Sequence, residues 1–265
     1  MEGIDLPRVQ FELKNILSEI IDFCELHGID YSLAAGSVLG AVRHGDMIPW
    51  DDDVDIYMSR TEMNFLVKNW RSETYEVITK NDPNYSTVST PVKIHNPLIS
   101  IKEKEDAVTQ EDGWKEYGLF VDIFPVDRYP NSLLSKFINR NWGRLLYLKR
   151  RAELGFKGRR WTRILYFLVG LAPRKLFEFF DGVIESKIVN TYEAEVTGFG
   201  YDVTFSDLWL DNFDMFDTVL ADFGALKARI PRQYERYLRS RYGNYHEIPS
   251  IENRRIHLLE VDFPP

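Results

Sequence analysis

The run Ile48-Pro49-Trp50-Asp51-Asp52-Asp53-Val54-Asp55-Ile56 places four carboxylates in five positions. Side chains alternate along an extended chain. Asp51, Asp53 and Asp55 then share one face, and Val54 and Ile56 point into the other. A helix would scatter these acids, so the alternation predicts a strand. Three like charges on one face either raise one another's pKa or draw in a cation. Hard divalent cations prefer carboxylate oxygens. A solvated Asp-rich turn is the plainer alternative, and the apolar flanks Trp50 and Val54-Ile56 weigh against it. A calcium loop of the helix–loop–helix type is excluded, because Ile56 stands where that loop requires glycine. Two further signals accompany the run. Gly36-Ser37 sits between a predicted strand and a predicted helix, where a small pair lets backbone N–H groups approach an anion. Most such pairs are plain turns. Asp122 stands alone within Phe120-Val121-Asp122-Ile123-Phe124, and an acid among β-formers needs a hydrogen bond, an ion pair or a metal.

The elements that must hold these residues are partly legible. Residues 7–27 read as an amphipathic helix: Pro7 suits a first turn, Phe11, Leu13, Ile16, Leu17, Ile20, Ile21, Cys24 and Leu26 recur near 3.6 spacing, and His27-Gly28 ends it. A strand over 31–35, a short helix through Arg43, a loop over 44–49 and a strand over 51–58 follow. Thr61 is the expected cap of a helix to about Trp70. Strands are predicted at 75–79, 91–95, 98–101 and 119–126, with a charged loop at 103–116. Beyond Pro130 the pattern is mainly helical to about Tyr242. The fold class expected is α+β (mixed α/β), a core sheet with flanking helices and a mainly helical C-terminal half. Three segments, 1–130, 131–200 and 201–265, would pack as one unit.

Composition bounds the function. At 265 residues, 44% apolar and 28% charged, the chain reads as an ordinary globule. The single cysteine, Cys24, excludes a disulfide framework and a Cys-based zinc site. Net charge is −8, which argues against nucleic acid as a partner. From Lys136 to Lys175, twelve basic residues face one acid, Glu153, a net of +11 against −19 for the rest of the chain. Within this segment Ile164 to Ala172 is apolar, with Arg159-Arg160 and Arg163 before it and Arg174-Lys175 after it. Nine residues cannot span a bilayer. Residues 159–180 read either as a helix lying on an anionic membrane surface or as a core helix with a basic collar. An anionic polymer acceptor would also account for the cations.

The strand turn, Gly-Ser, paired acids and separate strand acid together resemble the polymerase-β-type nucleotidyltransferase superfamily. The wording from Ala35 to Gly45 and from Ile48 to Ile56 resembles one branch, the LicD family. Gly118 to Asp127 resembles that family's second signature, and Pro231 to Leu238, Tyr242-Gly243-Asn244-Tyr245 and His257 its third. The sequence departs from the pattern at Ile248-Pro249, where Pro-Pro is common, and at Ile99-Ser100, where a Thr is usual.

The resemblance implies transfer of phosphocholine from CDP-choline to a hydroxyl of a bacterial surface glycan of the lipopolysaccharide, teichoic acid or capsule type. Glycerol or ribitol phosphate from another CDP-linked donor is the alternative. A nucleotidyltransferase for another substrate and a non-catalytic cation-binding module are the rivals. By the same resemblance Asp53, Asp55 and Asp122 would hold Mg²⁺ or Mn²⁺ against the donor pyrophosphate, with Asp51 completing the shell. Asp122 would accept the proton of the attacking hydroxyl. Gly36 and Ser37 would offer N–H and hydroxyl donors to phosphate, and Arg43 and Lys93 would contact it. Arg43 has an alternative bridge to Asp52 or Asp46, and Lys93 an alternative as a solvated strand lysine. Trp50 would pack beside the acids. His44 and His257 carry no assigned chemistry. Trp114, Tyr117, Tyr201, Trp209 and Phe213 are candidates to surround a choline ammonium. Animal relatives of the fukutin type carry a membrane anchor, and none is visible here. The expectation is a cytoplasmic bacterial enzyme, peripheral on the inner membrane face, with a lipid-linked glycan as possible acceptor.

Overall fold

Asp5 opens the first helix, accepting a hydrogen bond from the Arg8 backbone N–H at 3.2 Å, and Pro7 sits in the first turn. This helix, α1 (Leu6–His27), ends at Gly28 in the left-handed region (φ 64°). Its inner stripe, Val9, Leu13, Ile16, Leu17, Ile20 and Cys24, is wholly buried. Phe11 and Leu26, counted in the expected stripe, face solvent. The computed structural model describes residues 4–80, 82, 91–103, 117–129, 132–153, 163–189, 196–203, 210–211, 214–254 and 256–264.

The chain forms two compact units. The first comprises Met1–Ile78, Val92–Ile123 and Asp214–Pro265, and the second Thr79–Pro91 and Phe124–Phe213. The expected linear division at 130 and 200 does not coincide with them, because the chain leaves the first unit and returns to it twice.

In the first unit the strands are β1 (Tyr31–Leu33), β2 (Asp55–Ser59), β3 (Glu76–Thr79), β4 (Val92–Glu103) and the start of β5 (Tyr117–Tyr129). The central order is β1-β2-β5-β4, with β3 also pairing β4. β4 and β5 run antiparallel, with Lys93 opposite Asp122. Between β1 and β2 lies α2 (Ala35–His44), and after β2 comes α3 (Arg60–Asn69). The cap of α3 is Ser59 rather than the expected Thr61. Ser59 and Glu62 form a reciprocal capping box. The two strands predicted at 91–95 and 98–101 are one strand, β4, whose register against β5 shifts between Asn96 and Ser100.

In the second unit β5 pairs antiparallel with β6 (Val196–Phe199), and β6 with β7 (Leu210–Asp211). The helices α4 (Leu133–Glu153), α5 (Arg163–Leu171) and α6 (Arg174–Val189) occupy the expected helical stretch. The mainly helical reading beyond them is corrected. Besides β6 and β7, the chain on its return to the first unit forms a hairpin, β8 (Thr218–Phe223) and β9 (Leu226–Pro231), then α7 (Tyr234–Tyr242), a 3-10 turn (Ile251–Asn253) and β10 (Leu258–Asp262). The hairpin closes through the two-residue turn Gly224-Ala225. β10 extends the first unit's sheet by pairing antiparallel with β4.

Candidate active site

The site grows from the alternation of the acidic run. Asp51, Asp53 and Asp55 are half-buried, whereas Asp52, Val54 and Ile56 are buried, as two faces of an extended chain require. The ladder proper begins at Asp55, and the residues ahead of it are not paired with β1. Val54 C=O accepts the Asp122 N–H at 3.0 Å, which sets Asp122 on β5 beside Asp53 and Asp55. Asp55 senses the charges of Asp53, Asp122 and Asp51, so the four predicted acids form one electrostatic cluster.

The start of α2 closes one side. Ser37 is buried, and its Oγ accepts the Asp55 N–H at 2.9 Å, tying α2 to β2. The Ser37 N–H donates to Ala34 C=O, so it closes the turn and is not directed at a ligand. Gly36 has a steric reason. A Cβ there would lie 2.9 Å from Asp51 Oδ2. Ala35, with φ 42°, turns the chain, and its N–H donates to Tyr237 Oη at 2.9 Å. Tyr237 and Tyr57 hydroxyls meet at 2.9 Å in full burial. The α7 helix thereby braces the α2 entrance.

Lys93 differs from both sequence readings. It is buried, its Nζ is 2.8 Å from Asp122 Oδ1, and it lies over the Phe120 ring. Its ammonium compensates one carboxylate of the cluster instead of facing solvent or an open phosphate position. Arg43 likewise has other partners than those expected. Its Nη1 donates to Tyr245 C=O at 3.0 Å and Glu247 C=O at 3.2 Å, and its Nε to His44 Nε2 at 3.0 Å. These contacts tether the loop after α7. Neither Asp46 nor Asp52 receives it: Lys14 holds Asp46 at 3.0 Å. Trp50 lies under Arg254, 4.1 Å from ring centre to guanidinium carbon.

Two residues gain roles that the sequence reading did not assign. Asp52 is buried, and its carboxylate accepts the Leu258 N–H at 2.7 Å and the His257 N–H at 2.9 Å. That anchors the start of β10 and presents the His257 ring, whose Nδ1 lies 3.0 Å from Asp53 Oδ2. Among the described residues, Asp52, Asp53 and His257 bring ligand atoms within 4.8 Å of one another. Asp52 is nonetheless an anchor, since both its oxygens already serve backbone donors in a buried position. The sequence signals here were the alternation that buries Asp52 and the place of His257 in the third resembled signature, neither of which names the partner.

The electrostatics reflect crowding. Burial, then the charges of Asp53 and Asp52, push the Asp51 carboxyl up to about 8. Burial pushes Asp55 well above the carboxylate range, reinforced by Asp53, Asp122 and Asp51 and offset by Arg241. The hydrogen bond that its Nδ1 makes to Asp53, reinforced by the charges of the neighbouring acids, raises His257 to about 9 against its own desolvation. The group is short of positive charge. Its carboxylate oxygens are hard donors of the kind that divalent cations such as Mg²⁺ or Mn²⁺ take. Of the choline-cage candidates, Trp114, Trp209 and Phe213 lie outside the described residues, as does the Tyr117 side chain. Tyr201 is a fully buried core residue of the second unit, its N–H donating to Asp127 Oδ2.

Fold and site together define an α+β protein with a carboxylate centre on adjacent sheet strands beneath a glycine-opened helix. Residues 28–143 match the family described as LicD/FKTN/FKRP, nucleotidyltransferase domain. It is 28% identical over 273 aligned residues to the lipopolysaccharide cholinephosphotransferase LicD of Haemophilus influenzae, covering 98% of both chains. Over 44 residues it is 48% identical to the ribitol 5-phosphate transferase FKRP of Mus musculus and of Homo sapiens, 17% of this chain and 9% of each relative. These relatives are named as transferases.

Proposed function

We propose that the protein transfers phosphocholine from CDP-choline to a hydroxyl of a bacterial cell-surface glycan, with Mg²⁺ or Mn²⁺ as cofactor. The observation that carries this reading is the cluster of Asp51, Asp53, Asp55 and Asp122, whose acids are crowded enough to raise Asp51 and Asp55. The end-to-end similarity to a lipopolysaccharide cholinephosphotransferase supplies the reaction and acceptor class. The short, stronger likeness to ribitol 5-phosphate transferases supports a second reading, in which the transferred group is a polyol phosphate.

In this reaction the acceptor oxygen bonds to the choline-bearing phosphorus as its bond to the CMP oxygen breaks. Asp53, Asp55 and Asp122 would hold the cation, and Asp51 would support them from beside Gly36. A cation held there would supply neutralising charge for the transferred phosphoryl group and the leaving CMP. Ser37 Oγ holds the Asp55 backbone, and Lys93 holds Asp122, so the carboxylates keep their places without rearrangement. Asp122 receives the hydroxyl proton. Gly36 leaves room for Asp51 and for close approach of a phosphate.

The test is CMP release from CDP-choline, CDP-glycerol or CDP-ribitol with a glycan acceptor, in Mg²⁺, in Mn²⁺ and in EDTA. Choline-dependent turnover that EDTA abolishes is expected, with a loss of at least about 10³-fold in Asp53→Asn. Turnover undiminished in EDTA, or in a folded Asp53→Asn protein, would overturn the assignment.

A further inference from the structure

The helices of the second unit are amphipathic the wrong way round for a soluble layer. In α5, Ile164, Phe167, Leu168 and Leu171 recur at i, i+3, i+4 and i+7 and are all exposed, Ile164 at 72%. In α6, Leu176, Phe179, Phe180 and Val183 repeat the same spacing and are also exposed, Phe179 at 63%. Such a stripe normally faces the core. Here other faces make the internal contacts. Tyr166 and Val169 are the buried residues of α5. The buried Lys149 of α4 donates to Gly170 C=O at 3.1 Å and Ala172 C=O at 2.7 Å, fixing the end of α5. The Trp142 indole N–H of α4 donates to Asp181 of α6 at 2.9 Å. The helices are thus packed and capped from within, and the apolar stripes remain outside.

The exposed area is large. At ~200 Å² for a fully exposed Leu- or Phe-sized side chain, these stripes present on the order of 900 Å², against about 300–600 Å² for the largest patch of a typical monomer. Charge selects what covers it. Arg163 opens α5, and Arg174 and Lys175 open α6, all exposed. They belong to the stretch with twelve basic residues and one acid in an otherwise acidic chain. A second copy would set like charges against each other across the same face. An anionic lipid surface offers both an apolar layer for Phe167 and Phe179 and phosphates for the arginines. No helix of the described residues is long and apolar enough to cross a membrane, and α5, at nine residues, covers about 14 Å of a ~30 Å core.

We propose that α5 and α6 form a peripheral docking face that lies in the surface of an anionic bilayer. The face bears on where the enzyme works and is independent of which phosphate it transfers.

The test is co-sedimentation of the full chain with vesicles of phosphatidylcholine and phosphatidylglycerol, and with phosphatidylcholine alone, at low and high salt. Binding is expected to the anionic vesicles, weakening severalfold at ~0.5 M salt. The pair Phe167→Ser/Phe179→Ser and the pair Arg174→Glu/Lys175→Glu should each lower the partition coefficient at least about tenfold. Both pairs change exposed side chains, and melting curves verify that they fold. Absence of binding to anionic vesicles at low salt overturns the proposal, as does binding undiminished by the Phe pair. Light scattering that shows a dimer dissociated by the Phe pair assigns the face to a second copy and overturns it equally.

Discussion

Raising the pH of the cation-free protein should destabilise it, and a divalent cation should reverse the loss. Burial and neighbouring acids raise Asp51 from 3.8 to about 8. A folded-state value above the unfolded one means that the native state holds its proton longer. The stability this contributes is complete below about pH 4 and is lost as pH rises toward 8. His257, raised from 6.5 to about 9, has the same sign: its contribution is complete below about pH 6.5 and lost through about pH 9. At ~1.4 kcal/mol for each tenfold change in proton affinity, the Asp51 displacement corresponds to on the order of 5 kcal/mol, shared with the acids that cause it. Total stability is about 5–15 kcal/mol. For this chain length each kcal/mol moves Tm by about 2–4 °C. In EDTA, Tm should therefore fall by on the order of 10 °C between pH 5 and pH 8. Scanning calorimetry at both pH values, in EDTA and in millimolar Mg²⁺ or Mn²⁺, measures it. The cation should recover most of the loss at pH 8 and change little at pH 5, where protons compete for the same oxygens. Asp51→Asn should flatten the slope. A Tm that is level from pH 5 to pH 8 in EDTA, or a cation increment equal at both, would refute the reasoning.

Gly36→Ala should lower turnover at least about tenfold while moving Tm by only a few degrees, because the new Cβ displaces the Asp51 carboxylate and not the backbone; CMP release beside a melting curve separates the two. Lys93→Met should cost about 3–5 kcal/mol at pH 7 by leaving Asp122 among like charges, with partial recovery at pH 5 or on adding Mg²⁺, read by urea denaturation. Asp52→Ala should cost about 2–5 kcal/mol, since two backbone donors lose a buried acceptor, and proteolysis should then enter ahead of β10. Tyr237→Phe should cost about 1–2 kcal/mol through the lost contacts with Ala35 N–H and Tyr57 Oη, measured by thermal melting.

Local pattern made much of this protein legible. The 3.6-residue repeat marks α1, and the period-two alternation from Asp51 to Ile56 sorts the acids onto two faces, because both follow from bond geometry within a few residues. The lone Asp122 in an apolar strand marked a second contributor for the same reason. The stretch after α6 was misread because the short strands β6 to β9 carry apolar residues without a clean period, and their pairing partners lie elsewhere in the chain. Partnership across the chain was the tertiary structure's to decide. His257 reaches Asp53 across a sequence separation of 204 only because Asp52 seats β10. Lys93 meets Asp122 because β4 and β5 are in that register. Arg43 serves the loop after α7, and α5 and α6 turn their apolar stripes outward. A sequence states which groups are present and how neighbours alternate; which distant charge faces which is settled only when sheet register and helix packing bring them within a few ångströms.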